Sequence, residues 1–216
     1  MNNNNIVWLA SYPRSGNTFL RTVLWQCFGL PSASYYPNDL GGKKALEEYV
    51  GHIERESNNE IRFPKNSIPL VKTHEYPTDE MPAIYVVRDG LAASVSLFEF
   101  YKGGIPLRSI IEGQSRFGTW ANHVKAWKPW ERSNTLLLKY EDMKDDLPGT
   151  TEKISTFLKR DILKQSIPDR NTIAAADGRW VKREGSSETM MADDILEKFH
   201  QLNDDMLRKM GYLNRP

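Results

Sequence analysis

An uninterrupted apolar run, Ile6-Val7-Trp8-Leu9-Ala10, passes straight into the turn-forming cluster Ser11-Tyr12-Pro13-Arg14-Ser15-Gly16, and apolar residues then recur at Phe19, Leu20, Val23, Leu24 and Cys27 before Gly29. A strand that is apolar on both faces has to be covered on both faces, which suits a buried strand of a parallel sheet. The spacing after the turn is helical, and Gly29 is a stop signal. Strand, tight loop and helix therefore follow one another without a spacer. Such a turn aims backbone N–H groups and the positive end of the helix dipole at whatever lies in the loop, which makes it an anion site.

The rest of the chain repeats the alternation. Ala45, Leu46, Tyr49, Val50 and Ile53 make a second helical stripe, and the polar stretch 56–66 reads as a loop. Short apolar runs at 68–72, 83–87 and 135–138 predict further buried strands. Helices are expected from near Leu91, through Phe117, Trp120, Val124 and Trp127, from about Thr151, and over Ile195 to Met210, where Gly211 follows as a cap. Strands alternating with helices predict a three-layer α/β/α fold with a mainly parallel central sheet, P-loop NTPase-like, as a single domain over residues 1–216.

Charge narrows the function. The 216 residues carry 29 Lys and Arg against 28 Asp and Glu, a formal charge of +1. So balanced a surface excludes a general affinity for nucleic acid or anionic membranes, and any anion site must be built from cations gathered locally. The lone Cys27 rules out an internal disulfide and a multi-cysteine metal site. The first residues lack the basic and apolar regions of a signal peptide, and the run 6–10 is too short to span a bilayer, so the expected location is the cytoplasm.

Three clusters carry chemistry. Against the phosphate-loop template Gly-x-x-x-x-Gly-Lys-Ser/Thr, the first loop keeps Gly16 and Thr18, has Asn17 at the lysine position, and places its cation at Arg14. It is poorly equipped for a β/γ-phosphate with Mg²⁺, but Arg14, Ser15, Thr18 and the loop amides suit a terminal phosphate or sulfate. Lys72-Thr73-His74 stands at the end of a predicted strand, where open α/β sheets place their ligands. Two residues apart in extended chain, Lys72 and His74 point to the same side; an imidazole can take a hydroxyl proton while an ammonium neutralises charge on a transferred group. Arg88-Asp89-Gly90, with Ser94 and Ser96 beyond, offers a guanidinium and hydroxyls to a phosphate. The bland reading pairs Arg88 with Asp89. His52, His123 and His200 fall on predicted helices and read as structural.

In this order the motifs resemble the cytosolic and bacterial sulfotransferase family, whose members transfer a sulfuryl group from 3′-phosphoadenosine 5′-phosphosulfate (PAPS) to a hydroxyl or amine, leaving 3′-phosphoadenosine 5′-phosphate (PAP). The segments 118–127 and 139–143 resemble two further family blocks, so the likeness runs over roughly residues 6 to 143. The resemblance implies that Arg14, Ser15, Gly16, Asn17 and Thr18 hold the 5′-phosphosulfate and that Phe19 and Tyr140 line the adenine site. It further implies that Arg88 and Ser96 hold the 3′-phosphate, that Lys72 stabilises the transferring group beside Arg14, and that His74 is the general base. Near the C-terminus, Lys182-Arg183-Glu184-Gly185 and, earlier, Gly178-Arg179-Trp180 are the nearest matches to the family's closing Arg-Lys-Gly and Gly-Asp-Trp, which assigns Arg183 and Gly185 to the cofactor, with Lys182 or Arg179 as alternatives and Glu184 where a lysine is usual.

The resulting expectation is in-line sulfuryl transfer to a small-molecule acceptor without a required metal. Sulfuryl transfer depends on alignment and charge stabilisation, which cationic side chains supply. Tyr35, Tyr36, Phe98, Phe100 and Tyr101 are candidate acceptor-pocket walls, or core and rim packing. The competing readings are a P-loop small-molecule kinase and a non-catalytic nucleotide-binding protein on the same scaffold.

Overall fold

The computed structural model describes residues 6–169, 171, 172, 175 and 191–213. Five strands, β1 (Val7–Ser11), β2 (Ser32–Ser34), β3 (Leu70–Thr73), β4 (Ala83–Val87) and β5 (Thr135–Lys139), form one sheet in the order β2-β3-β1-β4-β5. Every neighbouring pair is parallel. The first strand, expected to be buried on both faces, is the third of five, with β3 and β4 on its flanks.

Eight helices are described: α1 (Asn17–Phe28), α2 (Lys44–Val50), α3 (Gly90–Phe100), α4 (Leu107–Ile111), α5 (Trp120–Trp127), α6 (Tyr140–Asp145), α7 (Leu147–Leu158) and α8 (Asp193–Lys209). They cover both faces of the sheet, and the alternation along β4 shows how. Ala83, Tyr85 and Val87 join the core with Leu91, Trp120, Val124 and Phe199, under α3, α5 and α8. Ile84 and Val86 join the opposite core with Leu20, Val23, Leu24 and Ile154, under α1 and α7. A strand buried on both sides needs apolar residues at every position, which is why β1 and β4 lack a polar alternation.

Differences from the sequence reading concern short elements and boundaries. β2 has three residues and no apolar run to announce it, and α4 and α6 are one to two turns long. The helix expected from Thr151 starts at Leu147, where the Asp146 carboxylate accepts the Gly149 N–H at 2.9 Å. Phe117 lies before α5 rather than within it, and His52 lies beyond the end of α2, past Gly51. No described helix is long and apolar enough to cross a membrane.

The register brings the chemistry-bearing ends together. Ala10 pairs with Thr73 and Ser11 with Val86, so the loops after β1, β3 and β4 leave the same edge of the sheet side by side. In an open parallel sheet, the carboxyl edge beside the first strand is where ligands settle.

Candidate active site

The loop after β1 is wound tightly at two points. Arg14 adopts φ 66° and Gly16 φ 100°, both left-handed, and the Ser15 N–H bonds back to Tyr12 O at 3.2 Å. A side chain at Gly16 would be strained by that φ, and a Cβ there would run into the Tyr140 ring. A left-handed arginine is costly and persists only where surrounding contacts impose it. Here Arg14 O accepts from Arg88 Nη1 at 3.0 Å, Arg14 Nε donates to Ser96 Oγ at 3.2 Å, and its guanidinium lies 5.2 Å from the Phe100 ring centre. Helix α1 begins at Asn17 with no acidic residue in its first turn and no side-chain cap, so its N–H groups and dipole face the loop. The Ser15 hydroxyl is buried there without a hydrogen-bond partner, as an anion-binding loop requires of a donor awaiting its acceptor. Thr18 stands in the same first turn, half-buried. Asn17 behaves differently: its amide donates to Leu9 O at 2.7 Å and Ser11 Oγ at 3.3 Å. Its amide nitrogen braces the loop from beneath, while its Oδ1 is buried without a hydrogen-bond partner.

Arg88 does not pair with Asp89. The Asp89 carboxylate caps α3 by accepting the Ala92 N–H at 2.8 Å, whereas the Arg88 guanidinium stacks 4.8 Å from the centre of the Tyr140 ring. Phe19 meets the same ring edge-on at 6.2 Å. Gly16, Phe19, Tyr140, Arg88, Arg14 and Ser96 thus form one continuous wall, although they come from four separate segments. Arg183 and Gly185, like the alternatives Lys182 and Arg179, lie outside the described residues.

At the end of β3, His74 Nδ1 sits 2.8 Å from Ser11 O. A carbonyl only accepts, so Nδ1 carries the proton and the lone pair is left on Nε2. The His74 N–H donates to the Tyr36 hydroxyl at 2.8 Å, and the Tyr36 ring stacks on the imidazole at 5.9 Å, with Phe117 edge-on at 6.1 Å. Burial, reinforced by Lys72, pushes the imidazole down to about 3, so it is neutral near pH 7. Lys72 is buried beneath it, paired with Asp39. Among the described residues no group of three or more His, Cys, Asp or Glu is placed to hold a metal ion.

Five contributors were missed by the sequence reading or given another role there. Arg21 is fully buried and pairs with Asp39 at 2.6 Å; His52, taken as structural, accepts from Arg21 Nη2 at 2.8 Å. Tyr36 was a candidate wall, but its hydroxyl also fixes the His74 backbone. His123 is indeed helical, yet its Nε2–H donates to His74 O at 3.0 Å while Nδ1 accepts from the Tyr85 hydroxyl at 2.8 Å. A cation inside the apolar stripe of α1, and a histidine three residues after Trp120 on a buried helix face, were the available signals. Asp39 left none, because it stands in an aperiodic loop. Of the other aromatic candidates, Tyr35 is exposed, Phe100 underlies Arg14, and Phe98 and Tyr101 pack against the core.

Comparisons with known proteins bear on the family and the fold. The chain is 25% identical over 175 residues to human sulfotransferase 2B1, covering 74% of this chain and 48% of that protein. It is 27% identical over 179 residues to human sulfotransferase 1E1, covering 70% and 58%. The chain therefore spans about half to three-fifths of the length of these curated relatives. Among solved structures, the mouse sulfotransferase SULT7A1 complexed with PAP aligns over 94% of this chain and 85% of its own, with a TM-score of 0.66 at 21% identity. Retinol dehydratase in complex with androsterone and inactive cofactor PAP aligns over 98% and 82%, with a TM-score of 0.61 at 18% identity. These two share the fold. The model of the sulfotransferase domain matches residues 4–175, most of the chain, and the chain belongs to that family.

Proposed function

We propose that the chain is a sulfotransferase domain that moves a sulfuryl group from PAPS to a hydroxyl of a small molecule. One observation carries the reading: a single hydrogen bond, His74 Nδ1 to Ser11 O, ties a neutral imidazole to the strand that opens the anion loop, leaving Nε2 with its lone pair. Base and anion loop are thereby held in fixed relation before any ligand arrives, which is the condition for efficient transfer between two bound partners.

The residues fit the nucleotide. The uncapped start of α1, the buried Ser15 hydroxyl and Arg14 suit the 5′-phosphosulfate; Phe19 and Tyr140 offer ring faces to adenine; Arg88 and Ser96 suit the 3′-phosphate. When bound, the donor supplies a sulfuryl group on an activated phosphosulfate linkage, so the chain has no covalent intermediate to form. His74 Nε2 takes the proton of the acceptor hydroxyl as the new S–O bond forms and the old S–O bond to the nucleotide phosphate breaks. Lys72 and Arg14 place positive charge beside the oxygens on which negative charge grows. Tyr36 and Phe117, on two sides of His74, favour a flat or apolar acceptor at its mouth. Retinol dehydratase, a structural neighbour, has been solved with retinol and with androsterone, both apolar alcohols.

The purified chain, incubated with ³⁵S-labelled PAPS and a panel of phenols, apolar alcohols and amines, is expected to yield labelled product and PAP, and to bind PAP in calorimetry. Phosphate transfer from ATP with Mg²⁺, without response to PAPS, would establish a kinase instead. Binding of PAP with no transfer to any acceptor, unchanged in His74→Ala, would leave a nucleotide-binding protein.

A further inference from the structure

A second charged cluster lies behind the catalytic strand end. Asp39 bridges two cations with its two oxygens: Oδ2 reaches Arg21 Nη1 at 2.6 Å, and Oδ1 reaches Lys72 Nζ. The side chains are 0%, 4% and 10% exposed for Arg21, Asp39 and Lys72, so water screens none of the contacts well. Arg21 has no freedom to serve a ligand, because Nε donates to Ser32 Oγ at 2.8 Å and Nη2 to Ser32 O at 3.2 Å and to His52 Nδ1 at 2.8 Å. It is a fixed post. The loop that carries Asp39 is delivered by the sheet: Ser34 pairs with Lys72, and the Tyr35 N–H bonds to Lys72 O at 2.9 Å.

We propose that Asp39 is a positioning residue for sulfuryl transfer, holding the Lys72 ammonium charged and turned toward the transferring group through a buried bridge anchored on Arg21. The inference rests on the sulfotransferase reading above. Lys72 faces Arg21 from α1, Arg14 from the loop after β1, His74 from its own strand end, and the Tyr36 ring at 5.7 Å. A buried ammonium beside two guanidinium groups would shed its proton or swing away, since removing a charge from water is costly and like charges add to that cost. One carboxylate between Arg21 and Lys72 leaves the trio with a net charge of +1. Burial alone would push Asp39 up, but Lys72 and then Arg21 outweigh it and hold the carboxyl at about 2, ionised at every working pH.

Two measurements on the full chain test this. The side-chain ¹⁵N signal of Lys72, assigned by its loss in Lys72→Met, is titrated in the wild type and in Asp39→Asn; affinities for PAPS and PAP are measured by calorimetry in all three proteins. The nucleotides differ only by the sulfuryl group, so their ratio reads Lys72 at its post. Asp39→Asn is expected to release the Lys72 proton at a pH lower by about one unit or more and to cut the preference for PAPS over PAP by about tenfold, as Lys72→Met does. An unchanged Lys72 titration overturns the proposal, as does tighter PAPS binding by Asp39→Asn, which would make Asp39 a competitor for Lys72. Should Asp39→Asn fail to fold, Asp39→Glu carries both readouts. Its longer carboxylate is expected to lower the preference by a smaller factor, and wild-type values in both readouts overturn the proposal. Failure of the wild type to bind either nucleotide sinks the sulfotransferase reading, while the Lys72 titration still decides whether Asp39 holds the charge.

Discussion

The two cationic halves of the proposed site differ in burial and in the contacts that hold them. On the side proposed for the nucleotide, the contacts of Arg14 include the Ser96 hydroxyl and the Phe100 ring, and Arg88 bonds to a carbonyl and lies over Tyr140. On the acceptor side, Arg21 and Lys72 share the Asp39 carboxylate and are buried. Hydroxyl, carbonyl and ring contacts orient a guanidinium without cancelling its charge, and both arginines are half-exposed. A buried cation has no such option, because without a counter-ion it cannot remain charged. In the buried half the positive charge is thus balanced by a carboxylate that the fold itself brings in.

Breaking the acceptor half should cost the most. His74→Ala is expected to lower transfer by about 10²–10⁴-fold, the range of general acid–base catalysis, while calorimetry finds PAP affinity changed by no more than about threefold. A parallel loss of PAP affinity would mean that His74 supports the nucleotide wall instead. Next comes Arg21→Ala, which leaves Asp39 with half its partners in a buried place. Denaturant unfolding should show about 3–5 kcal/mol lost, against less than about 1 kcal/mol for Arg108→Ala, whose pairs with Glu112 and Asp194 are exposed.

Acid should expose the same contrast. Burial holds His123 down to about 4, against 6.5 for a free imidazole, so the unfolded chain takes up the proton first as the pH falls. The stability tied to neutral His123 is complete above about pH 6.5 and is lost on acidification toward 4, on the order of 3 kcal/mol. Melting temperatures recorded down that range should fall, and more gently in His123→Gln. The nucleotide half is sharpened by Arg88→Ala, with the smallest expected effect. It should weaken PAP by about 1–3 kcal/mol and 5′-AMP by much less, since only PAP carries the 3′-phosphate. Equal losses for the two would move Arg88 to a purely structural place under Tyr140.

The two halves were also unequally legible. The residues proposed for the nucleotide could be grouped from the sequence because they are local: Arg14 to Phe19 are six consecutive residues, and Arg88 with Ser96 spans the start of one helix. Even there Asn17 turned inward, since a short amide beside a strand end finds carbonyls before it finds a ligand. On the acceptor side, Lys72 and His74 were visible from their two-residue spacing, but their partners were not. Asp39 reaches Lys72 across 33 residues of chain, and His123 reaches the His74 carbonyl across 49. Neither contact leaves a period in the sequence.

The sequence by itself determined the layered parallel architecture, because burial on both faces demands uninterrupted apolar strands, and it singled out the loop before α1 as the anion-site candidate, because a turn that runs directly into a helix points its dipole and amides one way. Only the tertiary structure decided which nitrogen of His74 is free and which carboxylate faces Lys72. Those depend on the register of β3 against β1 and β2, and on a loop brought in by the sheet edge. Pairings between distant residues are choices of packing, which no local pattern encodes.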